Sequence, residues 1–120
     1  MDGVLYQDIM HEIREIAKDN TLVIVEGKND VASCNELGIK NVIEIKQPLF
    51  SLIESIEDKE VVLLVDLDKE GKSLYSKLKK DLVRRGVRVN DKLREMLFRT
   101  PVRQVEGLYN YLERWKSQKE

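Results

Sequence analysis

The sequence predicts an α/β fold, a three-layer α/β/α sandwich around a mostly parallel, four-stranded sheet. Two short runs of mainly β-branched and leucine residues, 21–25 and 61–65, are typical of strands buried on both faces of a parallel sheet. Amphipathic helical stretches separate the strand-like runs, which indicates βαβ units. No Pro/Gly/Ser-rich linker divides the 120 residues, so we predict one domain over residues 1–120 with its core at about 20–90.

The helices are predicted from apolar residues at helical spacing and from glycine or proline near the helix ends. Leu5, Ile9 and Ile13 recur on one face of the first helix, and Gly38 and Gly86 end two later helices. The predicted helices lie at residues 4–18, at 29–37, from Pro48 onward, along Leu74, Leu78 and Leu82 to an end near Gly86, at 91–98 and at about 103–116. The predicted strands lie at residues 21–25, 41–45, 61–65 and 87–89.

The composition is that of a soluble globular protein. Hydrophobic residues make up 42% of the chain, and charged residues reach 36%, above the ~25% usual in globular domains. The single cysteine, Cys34, excludes an intrachain disulfide and fits a reducing cytosol. Neither a basic leader with an apolar run nor a stretch of roughly 20 apolar residues is present. We therefore expect a cytoplasmic protein without a membrane partner.

Charge is segregated along the chain although the net charge is only −1. Residues 1–68 hold 6 Lys or Arg and 15 Asp or Glu, a net charge of −9. Residues 69–103 hold 12 Lys or Arg and 4 Asp or Glu, a net charge of +8. Much of this charge is expected to cover solvated faces. A basic segment directly after an acidic motif also suits a polyphosphate ligand, so we expect nucleic acid as a partner.

Carboxylates follow two of the predicted strands. Glu26 ends the first strand, and Asp66 and Asp68 follow the third. Ligands of open parallel sheets bind beyond the carboxyl ends of the strands, so these three acids are candidate catalytic residues and metal ligands if the two strands are neighbours. Their oxygens suit Mg²⁺, with Mn²⁺ as a substitute. One histidine, His11, and one cysteine on different helices offer no zinc site.

Structural roles stay open for several acids. Asp68 is also a candidate N-cap of the following helix, and Asp30 a candidate for stabilising its own helix through the dipole. Glu106 is expected either near the site or at the surface. No structural task is evident for Glu26, because it ends an apolar strand directly before Gly27.

Two motifs together resemble the signature of the Toprim family. They are Val25-Glu26-Gly27-Lys28-Asn29-Asp30-Val31 and Val65-Asp66-Leu67-Asp68-Lys69-Glu70-Gly71. The resemblance covers about residues 20–90 and implies a Toprim-like, Rossmann-like fold. It implies that Glu26 is the general acid/base and that Asp66 and Asp68 hold Mg²⁺. Gly27 and Gly71 would then allow close approach of the backbone.

Further candidates come from charge and position beside these motifs. Lys28, Lys69 and Lys72 are candidate phosphate contacts, together with Gly27 and Gly71 in a phosphate-binding and nucleic-acid-binding set. Asp30 and Glu106 are candidate supporting residues. The tyrosines at positions 6, 75, 109 and 111 are expected to pack, so no topoisomerase nucleophile is predicted.

The resemblance also implies a function. Toprim domains occur in bacterial primases, topoisomerases, recombination mediators, OLD-family nucleases and a ribosomal-RNA maturase, and this chain is similar to the small stand-alone, maturase-like members. We expect Mg²⁺-dependent nucleic-acid processing, most readily nuclease-like phosphodiester cleavage with RNA slightly favoured over DNA. The alternative is a non-catalytic Toprim scaffold that binds nucleic acid or a partner protein. Because the sequence shows no obvious aromatic stacking platform, a homodimer or a partner protein is expected to supply the missing surface.

Overall fold

Helices and strands alternate along the chain. The computed structural model describes residues 2–119, with side chains over residues 2–116. The helices are α1 (Gly3–Asp19), α2 (Lys28–Glu36), α3 (Leu49–Ser55), α4 (Lys69–Arg84), α5 (Lys92–Leu97) and α6 (Leu108–Lys119), and a short 3₁₀ turn spans Val105–Gly107. The strands are β1 (Leu22–Val25), β2 (Val42–Glu44), β3 (Glu60–Leu63) and β4 (Arg88–Val89).

The four strands form one sheet in the order β2-β1-β3-β4. Every neighbouring pair is parallel, so the expected mostly parallel sheet is wholly parallel. Val23 of β1 lies opposite Val42 on one side and Val62 on the other. The chain moves outward in one direction from β1 to β2 and then returns to place β3 on the other side of β1. The carboxyl ends of β1 and β3 therefore flank the point where the strand order reverses, which is where ligands bind in such sheets.

Alternate residues of the central strands face opposite layers, as the period of a strand requires. Val23, Val25, Val62 and Leu64 pack into a core with α1, α2, α5 and α6. Leu22, Ile24, Val61 and Leu63 pack into a second core with α3 and α4. The predicted three-layer α/β/α sandwich is thus confirmed.

Local signals fix the ends of several helices. The Asp2 side chain accepts a hydrogen bond from the Leu5 amide at 2.9 Å at the start of α1. Gly86 follows α4 with a φ of 86°, a conformation that glycine adopts without strain. Across residues 2–119, no helix combines the length and the apolar character needed to cross a membrane.

Most boundaries lie within two residues of the predicted ones, and two of the differences have a visible structural cause. Regular pairing in β3 ends at Leu63 rather than at 65, although the Leu64 amide still donates to the Ile24 carbonyl at 2.9 Å. The last α-helix begins at Leu108 rather than near 103. The Arg103 carbonyl accepts from the Leu67 amide at 2.8 Å, so tertiary bonds hold this segment outside a helix.

Candidate functional site

The predicted acids lie along the carboxyl edge of the sheet, beyond the neighbouring ends of β1 and β3. We call Glu26, Asp30, Asp66 and Asp68 the acidic rim. Each of these side chains accepts a hydrogen bond from a backbone amide. The structure therefore assigns every rim acid a local task in addition to any chemistry.

Glu26 joins the ends of the two central strands. Its Oε2 accepts a hydrogen bond from the Asp66 amide at 2.8 Å. The sequence showed no structural task for Glu26, and this bond supplies one. The second oxygen, Oε1, takes part in no hydrogen bond within the described residues.

Asp66 and Asp68 each use one oxygen in the same way. Asp66 Oδ1 accepts from the Val105 amide at 2.9 Å, which ties the rim to the segment before α6. Asp68 Oδ1 accepts from the Gly71 amide at 2.8 Å and caps α4, so the N-cap role left open for it is present. Each carboxylate keeps its second oxygen outside the hydrogen bonds of the described residues.

Asp30 is the most buried acid of the rim, with 8% of its surface exposed. Its Oδ2 accepts from the Gly27 amide at 3.0 Å at the start of α2, which is the helix-supporting role considered for it. Burial raises the pKa of the Asp30 carboxyl above its ordinary value, and the negative charges of Asp66, Glu26 and Glu106 act in the same direction.

Glu106 lies close to the rim but at the surface. Its side chain is exposed, and Oε2 accepts from Asn29 Nδ2 at 3.4 Å. Both positions considered for Glu106 therefore apply, since it is exposed and its charge reaches Asp30.

Arg94 of α5 is a site residue that the sequence analysis did not identify. Only 3% of it is exposed, and its guanidinium donates to the Val65 carbonyl at 2.6 Å and to the Asp66 carbonyl at 3.1 Å. Burial lowers the pKa of Arg94, while the charges of Asp91, Glu26 and Asp66 oppose that shift. A fixed cation thus stands behind the acids. A signal was present, because helical spacing puts Arg94 on the same face as Leu97 and Phe98.

The two motif glycines have different surroundings. A Cβ on Gly71 would lie 1.8 Å from the Asp66 carbonyl oxygen, so the close approach expected there occurs between two parts of the chain itself. A Cβ on Gly27 would meet nothing within 4 Å. The space in front of the Gly27 backbone is therefore open.

The three candidate lysines surround the rim on the starts of two helices. Lys28 is the first residue of α2 and Lys69 the first of α4, and both are exposed. Lys72 is also exposed, with its ammonium 5.4 Å from the centre of the Phe98 ring. Contact of these lysines with phosphate stays a prediction.

The expected set of three carboxylate ligands is not assembled. Over the described part of the chain, no group of three or more His, Cys, Asp or Glu side chains comes close enough to hold a metal ion. Mg²⁺ in proteins is typically held by one or two carboxylates and otherwise by water and phosphate oxygens. The open oxygens of Asp66 and Asp68 fit that smaller requirement, and Glu26 is left for another role.

Comparison with known proteins gives consistent results. The family model described as Toprim domain matches residues 20–91. A UPF0292 protein of Methanocaldococcus jannaschii is 30% identical over 115 residues, which are 89% of this chain and 89% of that protein. A UPF0292 protein of Methanosarcina barkeri is 33% identical over 116 residues, covering 90% of this chain and 80% of its own. A solved structure of a protein from Aquifex aeolicus has a TM-score of 0.74 at 27% identity and covers 83% of this chain and 94% of that one.

Proposed function

The chain belongs to the Toprim domain family, and from that premise we propose that it is a Mg²⁺-dependent nuclease that cleaves phosphodiester bonds, with RNA slightly favoured over DNA. Family membership itself indicates a metal-dependent function related to nucleic acid. Bond cleavage and the choice of RNA are our proposal. The observation that carries it is that Asp66, Asp68 and Glu26 each keep one carboxylate oxygen outside the backbone hydrogen bonds, at the reversal point of the sheet.

Each rim residue has a distinct role in this proposal. Asp66 and Asp68 would hold the metal, and Mg²⁺ when bound would neutralise charge on the reacting phosphate. Glu26 Oε1 accepts a proton from the attacking water as the water oxygen bonds to phosphorus, and gives a proton to the leaving oxygen as the P–O bond breaks. The Asp66 amide holds Oε2 and so orients the carboxylate. Lys28 and Lys69 bind backbone phosphates on either side of the reacting one.

Arg94 contributes by positioning. Carboxylates gathered at the end of an apolar sheet repel one another, and the buried guanidinium offsets part of that repulsion. Its bonds to two consecutive backbone carbonyls also fix the segment that carries Asp66. The rim is therefore held in shape before any ligand binds.

The backbone bonds of the acids favour a second candidate, a non-catalytic scaffold that binds nucleic acid or a partner protein. A structural task explains the presence of a rim carboxylate without catalysis, and every rim acid has such a task. In both candidate functions, a second copy of the chain or a partner protein supplies additional binding surface.

A cleavage and binding assay on labelled RNAs and DNAs, with Mg²⁺, Mn²⁺ or EDTA, tests the proposal. We expect Glu26→Gln to lower the cleavage rate by roughly 10²–10⁴-fold, because glutamine cannot transfer the proton, while binding stays nearly unchanged. Glu36→Gln is the matched control, since Glu36 is exposed at the far end of α2, and it should cleave at the wild-type rate.

The metal is tested with the same preparations. Mn²⁺ should broaden the NMR signals of the rim in the wild type and not in Asp66→Asn with Asp68→Asn. Each asparagine keeps one oxygen that can accept the hydrogen bond from the Val105 or the Gly71 amide, so this variant should stay folded. Cleavage that survives in Glu26→Gln contradicts the assigned role. Wild-type binding without cleavage on every substrate favours the scaffold.

A further inference from the structure

A cavity of about 510 Å³ opens between α4 and α5, next to the acidic rim. Lys72, Tyr75 and Lys79 of α4 line it, together with Arg94 and Phe98. The Lys72 amide donates to the Asp68 carbonyl at 2.9 Å, so the cavity begins one helical turn from Asp68. Arg94 reaches from the cavity wall to the Asp66 carbonyl. Two residues of the cavity wall, Lys72 and Arg94, are thus hydrogen-bonded to the backbone of the segment that carries Asp66 and Asp68.

One wall of the cavity is aromatic. The Arg94 guanidinium lies 4.4 Å from the centre of the Tyr75 ring and 5.2 Å from that of Phe98, so it bridges the two rings. Both rings are partly exposed, whereas the arginine between them is buried. The sequence showed no aromatic platform because its two rings come from separate segments of the chain.

Cations surround this wall. The Lys72 ammonium lies 5.4 Å and the Arg103 guanidinium 5.8 Å from the centre of the Phe98 ring. Lys79 lies 5.7 Å from the Tyr75 ring centre. Aromatic faces among cations are the combination that single-stranded nucleic acid requires, because each nucleotide presents one flat base and one phosphate.

The back of the cavity is held rigidly. The Tyr75 hydroxyl donates to Asp91, and the Lys79 ammonium bonds to Asp91 Oδ2 at 2.5 Å. Burial raises the pKa of the Asp91 carboxyl, and the charge of Glu95 adds to the shift. Because Tyr75 is fixed in place, stacking on its ring costs little conformational entropy.

We propose that this cavity receives one unpaired nucleotide of the substrate, with its base against the rings of Phe98 and Tyr75 and its phosphate towards Lys72. This inference rests on the proposed function, because it takes the ligand to be nucleic acid. It restricts the substrate to strands in which an unpaired nucleotide lies next to the phosphodiester bond that is cleaved at the rim. A base within a duplex has both faces stacked and cannot enter.

The test uses labelled thymidylate and uridylate strands of about 12 nucleotides and an abasic strand of the same length. The abasic strand carries the same phosphate charge without bases. EDTA prevents cleavage during fluorescence anisotropy measurements. We expect the wild type to bind the base-bearing strands about 10-fold or more tightly than the abasic strand, since base stacking on an aromatic residue is worth that much.

Phe98→Leu should reduce this preference, because leucine keeps the apolar volume and lacks the flat face, while the Tyr75 ring remains. Phe50→Leu is the matched control and should keep it. Phe50 is exposed on α3 and lines a different hollow, beside Arg84 and Arg85. Urea unfolding of both variants checks that each is folded.

The outcomes separate this inference from the proposed nuclease. Equal wild-type binding of base-bearing and abasic strands overturns the nucleotide cavity without any variant. A preference that is undiminished in Phe98→Leu, or reduced equally in Phe50→Leu, also overturns it. A base preference that depends on Phe98, in a protein that cleaves nothing, supports the cavity and overturns the nuclease. Absence of binding to any strand overturns the cavity, and absence of cleavage on every substrate with Mg²⁺ present overturns the nuclease as well.

Discussion

At the scale of single residues, Asp30 shows how a buried acid affects stability. Its carboxyl is almost covered, accepts one amide hydrogen bond and faces the charges of Asp66, Glu26 and Glu106. Burial is the main cause of its raised pKa. The folded protein therefore holds this proton more tightly than the unfolded chain does.

Stability should consequently depend on pH through this group. Wild-type stability should fall as pH rises from the ordinary Asp value of 3.8 through the higher folded pKa, because the folded state binds more protons over that range. Asp30→Asn removes the charge and keeps an oxygen for the Gly27 amide. At neutral pH the variant also loses the attraction between the Asp30 charge and the α2 dipole, which lowers its stability by about 0.3–1 kcal/mol.

The diagnostic quantity is the stability of Asp30→Asn minus that of wild type, from urea unfolding between about pH 4 and pH 7. We expect this difference to rise with pH. Asp58→Asn, in an exposed loop, should show no such trend. A flat difference for Asp30→Asn would mean that its charge is not penalised in the folded state.

Sequence separation decides which bonds at this scale were predictable. The Asp30 and Asp68 hydrogen bonds each span three residues. Local helix rules indicated the Asp68 cap and placed Asp30 in support of its own helix, through the dipole rather than through this bond. The bond from the Asp66 amide to Glu26 spans 40 residues, and that from the Val105 amide to Asp66 spans 39. No local pattern contains such bonds, so the acids were identified while the bonds that orient them were not.

At the scale of elements, the first turn of α4 lies directly against the chain that leaves β3. Gly71 is buried there, and any Cβ would collide with the Asp66 carbonyl, a backbone atom with little room to move. Although alanine favours a helix by up to about 1 kcal/mol over glycine, the collision outweighs this gain. We expect Gly71→Ala to lower the free energy of unfolding by about 1–3 kcal/mol or more.

Gly107→Ala provides the comparison for this experiment. A Cβ at Gly107 meets nothing within 4 Å, so chemical denaturation should show a change of at most about 0.5 kcal/mol. Equal effects of the two substitutions would show that α4 shifts freely away from β3. Loss of Mn²⁺ broadening in Gly71→Ala alone would link this contact to the geometry of the rim.

The elements themselves were largely predictable because hydrophobic periodicity is local. The buried run that forms β1 and the apolar face of α1 appear in the sequence as they do in the structure. The start of α6 was placed too early because the apolar stripe through Val105 and Leu108 continues across the boundary. The Leu67 amide donates to the Arg103 carbonyl and the Val105 amide donates to Asp66, and these bonds keep residues 103–105 out of the helix. Hydrophobic spacing in the sequence does not reveal such bonds.

At the scale of the whole molecule, the charge segregation along the sequence can be assigned to particular helices and strands. The basic segment 69–103 contains α4, β4 and α5, and it meets the acidic half of the chain at the rim. If this segment binds phosphates, affinity should fall with salt at a log–log slope of about −0.7 per phosphate on single strands. Lys69→Glu with Lys72→Glu should weaken binding for all sequences and reduce the slope by about 1.4.

Lys18→Glu with Lys40→Glu makes the same charge change elsewhere. Lys18 precedes β1 and Lys40 precedes β2, so both lie towards the amino edge of the parallel sheet, opposite the rim. Titrations by anisotropy over a range of salt should give the wild-type slope for this pair. An identical loss in both double variants would mean that net charge, rather than the basic surface beside the rim, governs binding.

The bond between Asp66 and Val105 also sets an order of events during synthesis. A ribosome adds about 5–20 residues per second, so roughly 2–8 seconds separate the appearance of these two residues. In that interval the nascent chain already carries Glu26, Asp66 and Asp68, yet the amide that holds one of them does not exist. The carboxyl edge of the sheet is therefore completed late, and a chain released early would carry the acids without the bond that fixes their arrangement.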